Sequence, residues 1–169
     1  MADAREIYTA KPTQEEMDEL LGRRLAAAVG TLNGDGSIHL SYVIFLWEDG
    51  RFFCETSSVT RKARNLAVRP TASFLLDGTA STGRSVMLEA EGIGRLITGA
   101  PANEVNRRLR AKYITAEAID DVDRVWGSLD DVAVEITPHR WRSWTGAAFA
   151  AATGEAVGGA YADIWRTDG

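Results

Sequence analysis

The residues best suited to chemistry lie between Glu55 and Pro70, in the stretch ETSSVTRKARNLAVRP. It gathers Thr56, Thr60, Arg61, Lys62, Arg64 and Arg69 in a chain whose formal net charge is -5. The stretch follows the apolar run RFFC. From Thr60 onward Ala63, Leu66 and Ala67 share one helical face, until Arg69-Pro70 ends the pattern. A strand end, a hydroxyl-rich turn and a helix N-terminus, in that order, form an anion site. The first-turn N–H groups have no partner inside the helix, and Thr, Lys and Arg add donors beside them. Each charge-assisted hydrogen bond to a phosphate oxygen contributes about 1.5–3 kcal/mol. An acidic protein can thus hold one phosphate without gaining affinity for polyanions. The competing reading is that Thr60 only caps a helix whose exposed face carries arginines.

Other chemistry-bearing residues point elsewhere. His39 and His139 are the only histidines and have no Cys or carboxylate at ligand spacing, so no metal site is expected. Cys54, the single cysteine, sits in an apolar run and reads as a small core residue. The segment GIGRLITG (Gly92 to Gly99) has the glycines of a dinucleotide fingerprint at the wrong spacing, and lies mid-strand. No Ser–His–acid arrangement can be read, and the pairs Asp120-Asp121 and Asp130-Asp131 read as solvated helix ends and turns. Trp141 and Trp144 follow the last strand together, where they either close a barrel or lie against a flat ligand.

The elements that must position these residues are legible from periodicity and turn signals. A capping box, Thr13 with Glu16, opens a helix over about 14–24 in which Met17, Leu20, Leu21 and Leu25 recur. Strands are expected over 27–32, 38–46 and 51–56, joined as hairpins at NGDG (Asn33 to Gly36) and EDG (Glu48 to Gly50). A helix from Thr60 follows, then strands over 71–77 and 84–98, the second bent at Gly92 and Gly94. Helices are expected from Pro101 to Tyr113 and from Thr115 to Leu129, and a sixth strand over 131–144. The Ala- and Gly-rich remainder, 146–169, shows no period and reads as a tail, with Tyr161, Ile164 and Trp165 able to dock on the domain formed by 1–145. Consecutive hairpins favour an antiparallel barrel or sandwich over a doubly wound sheet.

Composition bounds the answer. A chain of 169 residues that is 45% hydrophobic is the size of one domain with its own core. The acidic balance argues against nucleic acid as the main partner. The N-terminus lacks an apolar signal core, and no run approaches the length of a membrane span. A lone cysteine suits a reducing compartment, and a cytoplasmic protein is expected.

Taken in order, GDGSIHLSYVIFLWEDGRFFCET, SSVTRKARNLAVRPTASFLLD and RSVMLEAEGIGRL resemble the flavin and deazaflavin oxidoreductases with the pyridoxamine 5'-phosphate oxidase-like split β-barrel. The resemblance runs from about Arg24 to Gly146, and TRKARNLAVRP is its most specific part. It implies a mainly β, six-stranded antiparallel split β-barrel of Greek-key type with short peripheral helices, working as a homodimer. It also implies that Thr56, Thr60, Arg61 and Lys62 hold a cofactor phosphate. Ser41, Tyr42, Val43 and Ile44 run beside the tricyclic ring, Ser85 reaches it from the other subunit, and Trp144 lies near it. The KARN variant (Lys62 to Asn65) is similar to the branch that uses coenzyme F420, with FMN as second choice, and Arg64 and Arg69 would meet its anionic tail. Two departures set the chain apart from pyridoxamine phosphate oxidase. GAAFAAATG stands where that enzyme carries a basic cluster, and SYVIFLW replaces a strand that ends in lysine.

The expected activity is hydride transfer from the reduced coenzyme to an electron-poor small molecule, with Tyr42 as candidate proton donor. The alternatives are a split-barrel protein that binds a flavin or tetrapyrrole without turnover, and a purely structural domain.

Overall fold

The computed structural model describes residues 4–127 and 130–157. Two helices come first, α1 (Ala4–Thr9) and α2 (Gln14–Gly22). The expected capping box is formed. Thr13 Oγ1 accepts from the Glu16 N–H at 3.2 Å, and Glu16 Oε2 accepts from the Thr13 N–H at 3.0 Å. α2 stops at Gly22, two residues before the expected end, because Arg23 turns to extended backbone.

The strands β1 (Ala26–Leu32), β2 (Ile38–Ile44), β3 (Leu46–Glu48) and β4 (Arg51–Thr56) follow as expected hairpins. The Glu48–Gly50 turn is tight, with positive φ at Asp49 (49°) and Gly50 (72°), the pair of left-handed residues that a two-residue hairpin needs. The expected single strand 38–46 is broken at Phe45. That residue's N–H donates to the Tyr113 hydroxyl at 3.3 Å instead of joining a ladder.

Next come α3 (Arg61–Val68), β5 (Thr71–Thr79), β6 (Ser85–Thr98), α4 (Ala100–Tyr113), α5 (Ile119–Trp126), β7 (Val132–Trp141), β8 (Trp144–Thr145) and α6 (Ala147–Val157). The strands form one antiparallel sheet of eight segments in the order β2-β1-β5-β6-β7-β4-β3, with β8 on β6. Six strands were expected. The excess comes from the break at Phe45 and from Arg142-Ser143, which separates β8 from β7. The first and last members of the path, β2 and β3, are separated in the chain by Phe45 alone, so the sheet curls back on itself as a half-barrel rather than splitting into a sandwich. In β6, 14 residues long, the register slips between Glu91 and Gly92, where the bend was expected. A Cβ on Gly92 would lie 2.5 Å from the Thr137 carbonyl oxygen.

The core fills the curl. Phe52 stacks on Phe45 and Phe74 at 5.1 and 4.5 Å, and Trp47 and Trp141 meet Phe74 edge-on at 6.3 and 5.7 Å. Trp141 therefore closes the core, one of its two expected roles. Cys54 is fully buried there, and burial pushes its thiol up to about 12, so it is inert packing. α4 covers the outside of β3, β4 and β7 through Ala102, Val105 and Leu109 against Leu46, Phe53 and Ala133.

Two expectations at the helices change. α5 begins at Ile119 rather than at Thr115, because residues 116–118 form a turn in which the Ala118 N–H donates to the Thr115 carbonyl at 3.1 Å. Residues 147–157, read as tail, form α6, built from alanine, the strongest helix former, without the amphipathic period that betrays a helix in sequence. Tyr161, Ile164 and Trp165 lie outside the described residues. Among the described residues no helix is long and apolar enough to cross a membrane.

Candidate functional site

At the curl's outer surface β2, β4, α3 and α5 enclose a cleft of about 250 Å³, lined by Tyr42, Val43, Ile44, Glu55, Lys62 and Trp126. Four of the expected residues meet there: Tyr42, Val43, Ile44 and Lys62. Each arrives for a local reason. Tyr42 points outward by the alternation of β2 and is 79% exposed. Lys62 occupies the first turn of α3, whose placement is fixed by its buried Ala63 and Leu66 and by Asn65. The Asn65 amide donates to Thr31 Oγ1 at 3.0 Å and to Asn33 Oδ1 at 3.1 Å, pinning α3 to the β1–β2 hairpin.

The mouth of α3 is cationic and open. Thr60 is its N-cap, and Thr60 Oγ1 accepts from the Ala63 N–H at 3.4 Å and donates to the Ser57 carbonyl at 2.9 Å. Thr56 Oγ1 lies 2.8 Å from Thr60 Oγ1, so the two hydroxyls form one polar ledge. No acidic residue occupies the first turn. Arg61, Lys62 and Arg64 form no ion pair among the described residues, whereas Arg51, Arg84, Arg95, Arg108, Arg110 and Arg142 all do. Asp130, a carboxylate beside the turn ahead of α3, is committed elsewhere. Asp130 Oδ2 accepts from the Ser58 N–H at 3.0 Å, and the Ser58 hydrogen bonds lower its pKa. It closes the turn ahead of the helix and leaves the first-turn N–H groups of Arg61 and Lys62 free of intrahelical partners.

The opposite wall was not anticipated. Glu55 and Trp126 line the cleft and a neighbouring hollow of about 190 Å³ that adds Thr56, Ser57, Asp130 and Asp131. Glu55 is bound by Arg110, which is 3% exposed; Arg110 Nε donates to Glu55 Oε2 at 3.0 Å, and Nη2 to Oε1. Arg110 also donates to Asp123 and Asp131, both at 3.1 Å, and its guanidinium lies 5.7 Å from the Trp126 ring centre. Burial pushes the Glu55 carboxyl above the ordinary carboxylate range, against the lowering pull of Arg110. Asp131 thus differs from the expected solvated turn residue, since a buried guanidinium needs its charge. Glu55 shares a strand face with Phe53, and α4 covers that face, a contact that 55 positions of separation hide from sequence reading.

The remaining expected residues lie apart. Ser41 is on the inward face of β2, with a buried hydroxyl that finds no partner, so it borders the cleft only through its backbone. Arg61, Arg64 and Arg69 sit on or just after α3, and Arg69 Nη2 reaches the Gly34 carbonyl at 3.4 Å. Ser85 and Trp144 line a separate cleft of about 350 Å³ beside Leu75, Asp77 and Met87. Trp144 Nε1–H donates to the Ile7 carbonyl at 2.9 Å, tying α1 to β8. Among the described residues no group of His, Cys, Asp and Glu could hold a metal.

Comparison with known proteins now has geometry to rest on. The family model described as pyridoxamine 5'-phosphate oxidase matches residues 13–145. The chain belongs to the pyridoxamine 5'-phosphate oxidase family. No curated protein sequence matches it. Among solved structures it is similar to a conserved hypothetical protein of Mycobacterium tuberculosis, at 25% identity and TM-score 0.68 over 83% of this chain and 89% of that one. An F420 reductase shares the fold at 19% identity and TM-score 0.58, over 78% of this chain and 98% of the other. So does HutZ, a haem storage protein of Vibrio cholerae, at 19% identity and TM-score 0.60, over 78% and 92%. Family and fold agree with the half-barrel described above.

Proposed function

We propose that the chain is an oxidoreductase that holds a phosphate-bearing tricyclic coenzyme, F420 in first place and FMN in second. It would pass hydride to an electron-poor, planar, apolar small molecule. The observation that carries this reading is the position of Lys62, a cation without an ion pair among the described residues, facing an aromatic cleft at a helix mouth with no acidic residue in its first turn. Thr56, Thr60, Arg61 and Lys62 would hold the phosphate, and the strand Ser41–Ile44 would back the ring. Arg64 and Arg69 would meet the anionic tail of F420. The coenzyme supplies the redox chemistry. Tyr42 is the candidate proton donor, since its hydroxyl stands at the rim. The fold that an F420 reductase shares supports F420 as first choice.

The active form in this proposal is a homodimer of six-stranded split barrels, counting β2 with β3 and β7 with β8 as one strand each, working in the cytoplasm. Two observations support the dimer. Ile38, Leu40 and Tyr42 leave 68%, 67% and 79% of their surface exposed along one face of β2, an apolar patch suited to burial against a second copy. Ser85 and Trp144 line a different cleft from Lys62, so each site would be completed by residues of the other chain.

Fluorescence titration with FMN and F420 tests the reading. Binding of either by the wild type and a loss of more than about tenfold in Lys62→Ala are expected, the equivalent of one charge-assisted hydrogen bond. Unchanged affinity would remove Lys62 from the site. Storage without turnover is the second reading, favoured by a hollow of about 260 Å³ edged by His139 and by the fold shared with a haem storage protein. Coenzyme-dependent reduction of an enone or quinone separates the two.

A further inference from the structure

We infer that the last turn of α4, through Arg110 and Tyr113, sets the width of the cleft and with it the grip on a flat ring; for the ring's identity this rests on the coenzyme reading above. Arg110 and Tyr113 are three residues apart and so share one face of α4. Neither lines the cleft, yet each holds one of its walls.

Tyr113 holds the strand wall. The ladder of β2 with β1 ends at Ile44, and that of β3 with β4 begins at Leu46, so Phe45 belongs to neither. The Tyr113 hydroxyl accepts from the Phe45 N–H at 3.3 Å and lies 2.7 Å from the Leu25 carbonyl oxygen and 3.0 Å from that of Phe45. Its proton can serve one of these carbonyls, and Lys112 Nζ donates to that of Phe45 at 3.3 Å. Phe45 directly follows Tyr42-Val43-Ile44, the cleft's strand wall. An unpaired backbone N–H at that corner would be free to seek another partner, and the wall would move with it.

Arg110 holds the opposite wall. It binds Glu55 on β4, Asp123 on α5 and Asp131 ahead of β7, and lies beside the Trp126 ring. α5 has no buried residue of its own, and this buried guanidinium ties it to the body through Asp123, which Arg107 also approaches at 3.9 Å. α4 is itself seated on the barrel by Ala102, Val105 and Leu109, which makes it a rigid reference for both walls.

Riboflavin and FMN, which differ only in the phosphate, separate ring from phosphate. In fluorescence titrations Tyr113→Phe is expected to weaken both by the same factor, about five- to tenfold, as one hydrogen bond would. The ratio of the two affinities stays at the wild-type value, and the visible band of the bound flavin shifts. Lys62→Ala changes that ratio instead. Leu88→Ala, which hollows the main core away from α4, is expected to leave both affinities within about twofold. Arg110→Lys keeps the charge but loses the fork, and should mimic Tyr113→Phe; it decides the matter if Tyr113→Phe does not fold. Wild-type affinity and spectrum in Tyr113→Phe, or an equal loss in Leu88→Ala, would overturn the inference. If the wild type binds neither flavin, FMN is excluded as the coenzyme while F420 is not, and the crystal structure of Tyr113→Phe decides the matter. A displaced Tyr42–Ile44 segment supports the inference and an unmoved one overturns it.

Discussion

Two buried charges behave oppositely toward protons. Glu16 is 3% exposed and accepts from the Thr13 N–H, from Thr82 and from Arg84; these bonds, the backbone one foremost, lower its pKa. A depressed carboxyl contributes stability that is complete above its unfolded value and is lost as pH falls through the folded one. Glu55, raised by burial, has the reverse sign, since its protonated form is the better tolerated in the fold. Glu16→Gln should therefore lower the urea midpoint at pH 7 and narrow the difference between pH 7 and pH 3.5. Arg110→Ala strips a buried counter-ion from Glu55, Asp123 and Asp131 and should destabilise by about 3–5 kcal/mol at pH 7. That deficit should shrink as pH falls and Glu55, whose carboxyl burial already raises, takes up its proton. At this scale the sequence shows the cations, because Thr, Arg and Lys fall within one helical turn. Arg110 and Trp126 stay hidden, since only tertiary packing brings them to Glu55.

Among the elements, the hairpins, the capping box and the bend in β6 were legible because each is written in neighbouring residues. The break at Phe45 was not, because its cause, Tyr113, lies 68 positions away. α6 escaped for another reason: an alanine run has helix propensity and no period. The bend gives the sharpest element-level expectation. A Cβ on Gly92 would meet the Thr137 carbonyl oxygen at 2.5 Å and Ile136 at 2.9 Å, and backbone cannot step aside as a side-chain tip can. Gly92→Ala should cost about 1–3 kcal/mol by chemical denaturation. Ala on the exposed Gly34, with nothing within 4 Å, should leave the midpoint nearly unchanged.

For the molecule as a whole, the half-barrel follows from hairpins in series whose first and last members are one bent strand. In the proposed dimer each site would be completed by residues of the second copy. Lys62 stands at one cleft and Trp144 at another. If the exposed face of β2 is where two copies meet, Leu40→Asp should convert the dimer to monomer in sedimentation. It should weaken FMN binding by about tenfold or more although Leu40 lines no described cleft, because burying an unpaired carboxylate at an interface is strongly unfavourable. A dimer unaffected by that change would put the interface elsewhere.

The central claim is that a phosphate sits at the mouth of α3. A crystal soaked with FMN measures this directly. The phosphorus is expected within hydrogen-bonding reach of Lys62 Nζ, the Thr60 hydroxyl and the first-turn N–H groups, with the ring against Tyr42–Ile44. A phosphate held by any other part of the chain, with that helix mouth closed by Asp130 or another carboxylate, would contradict it.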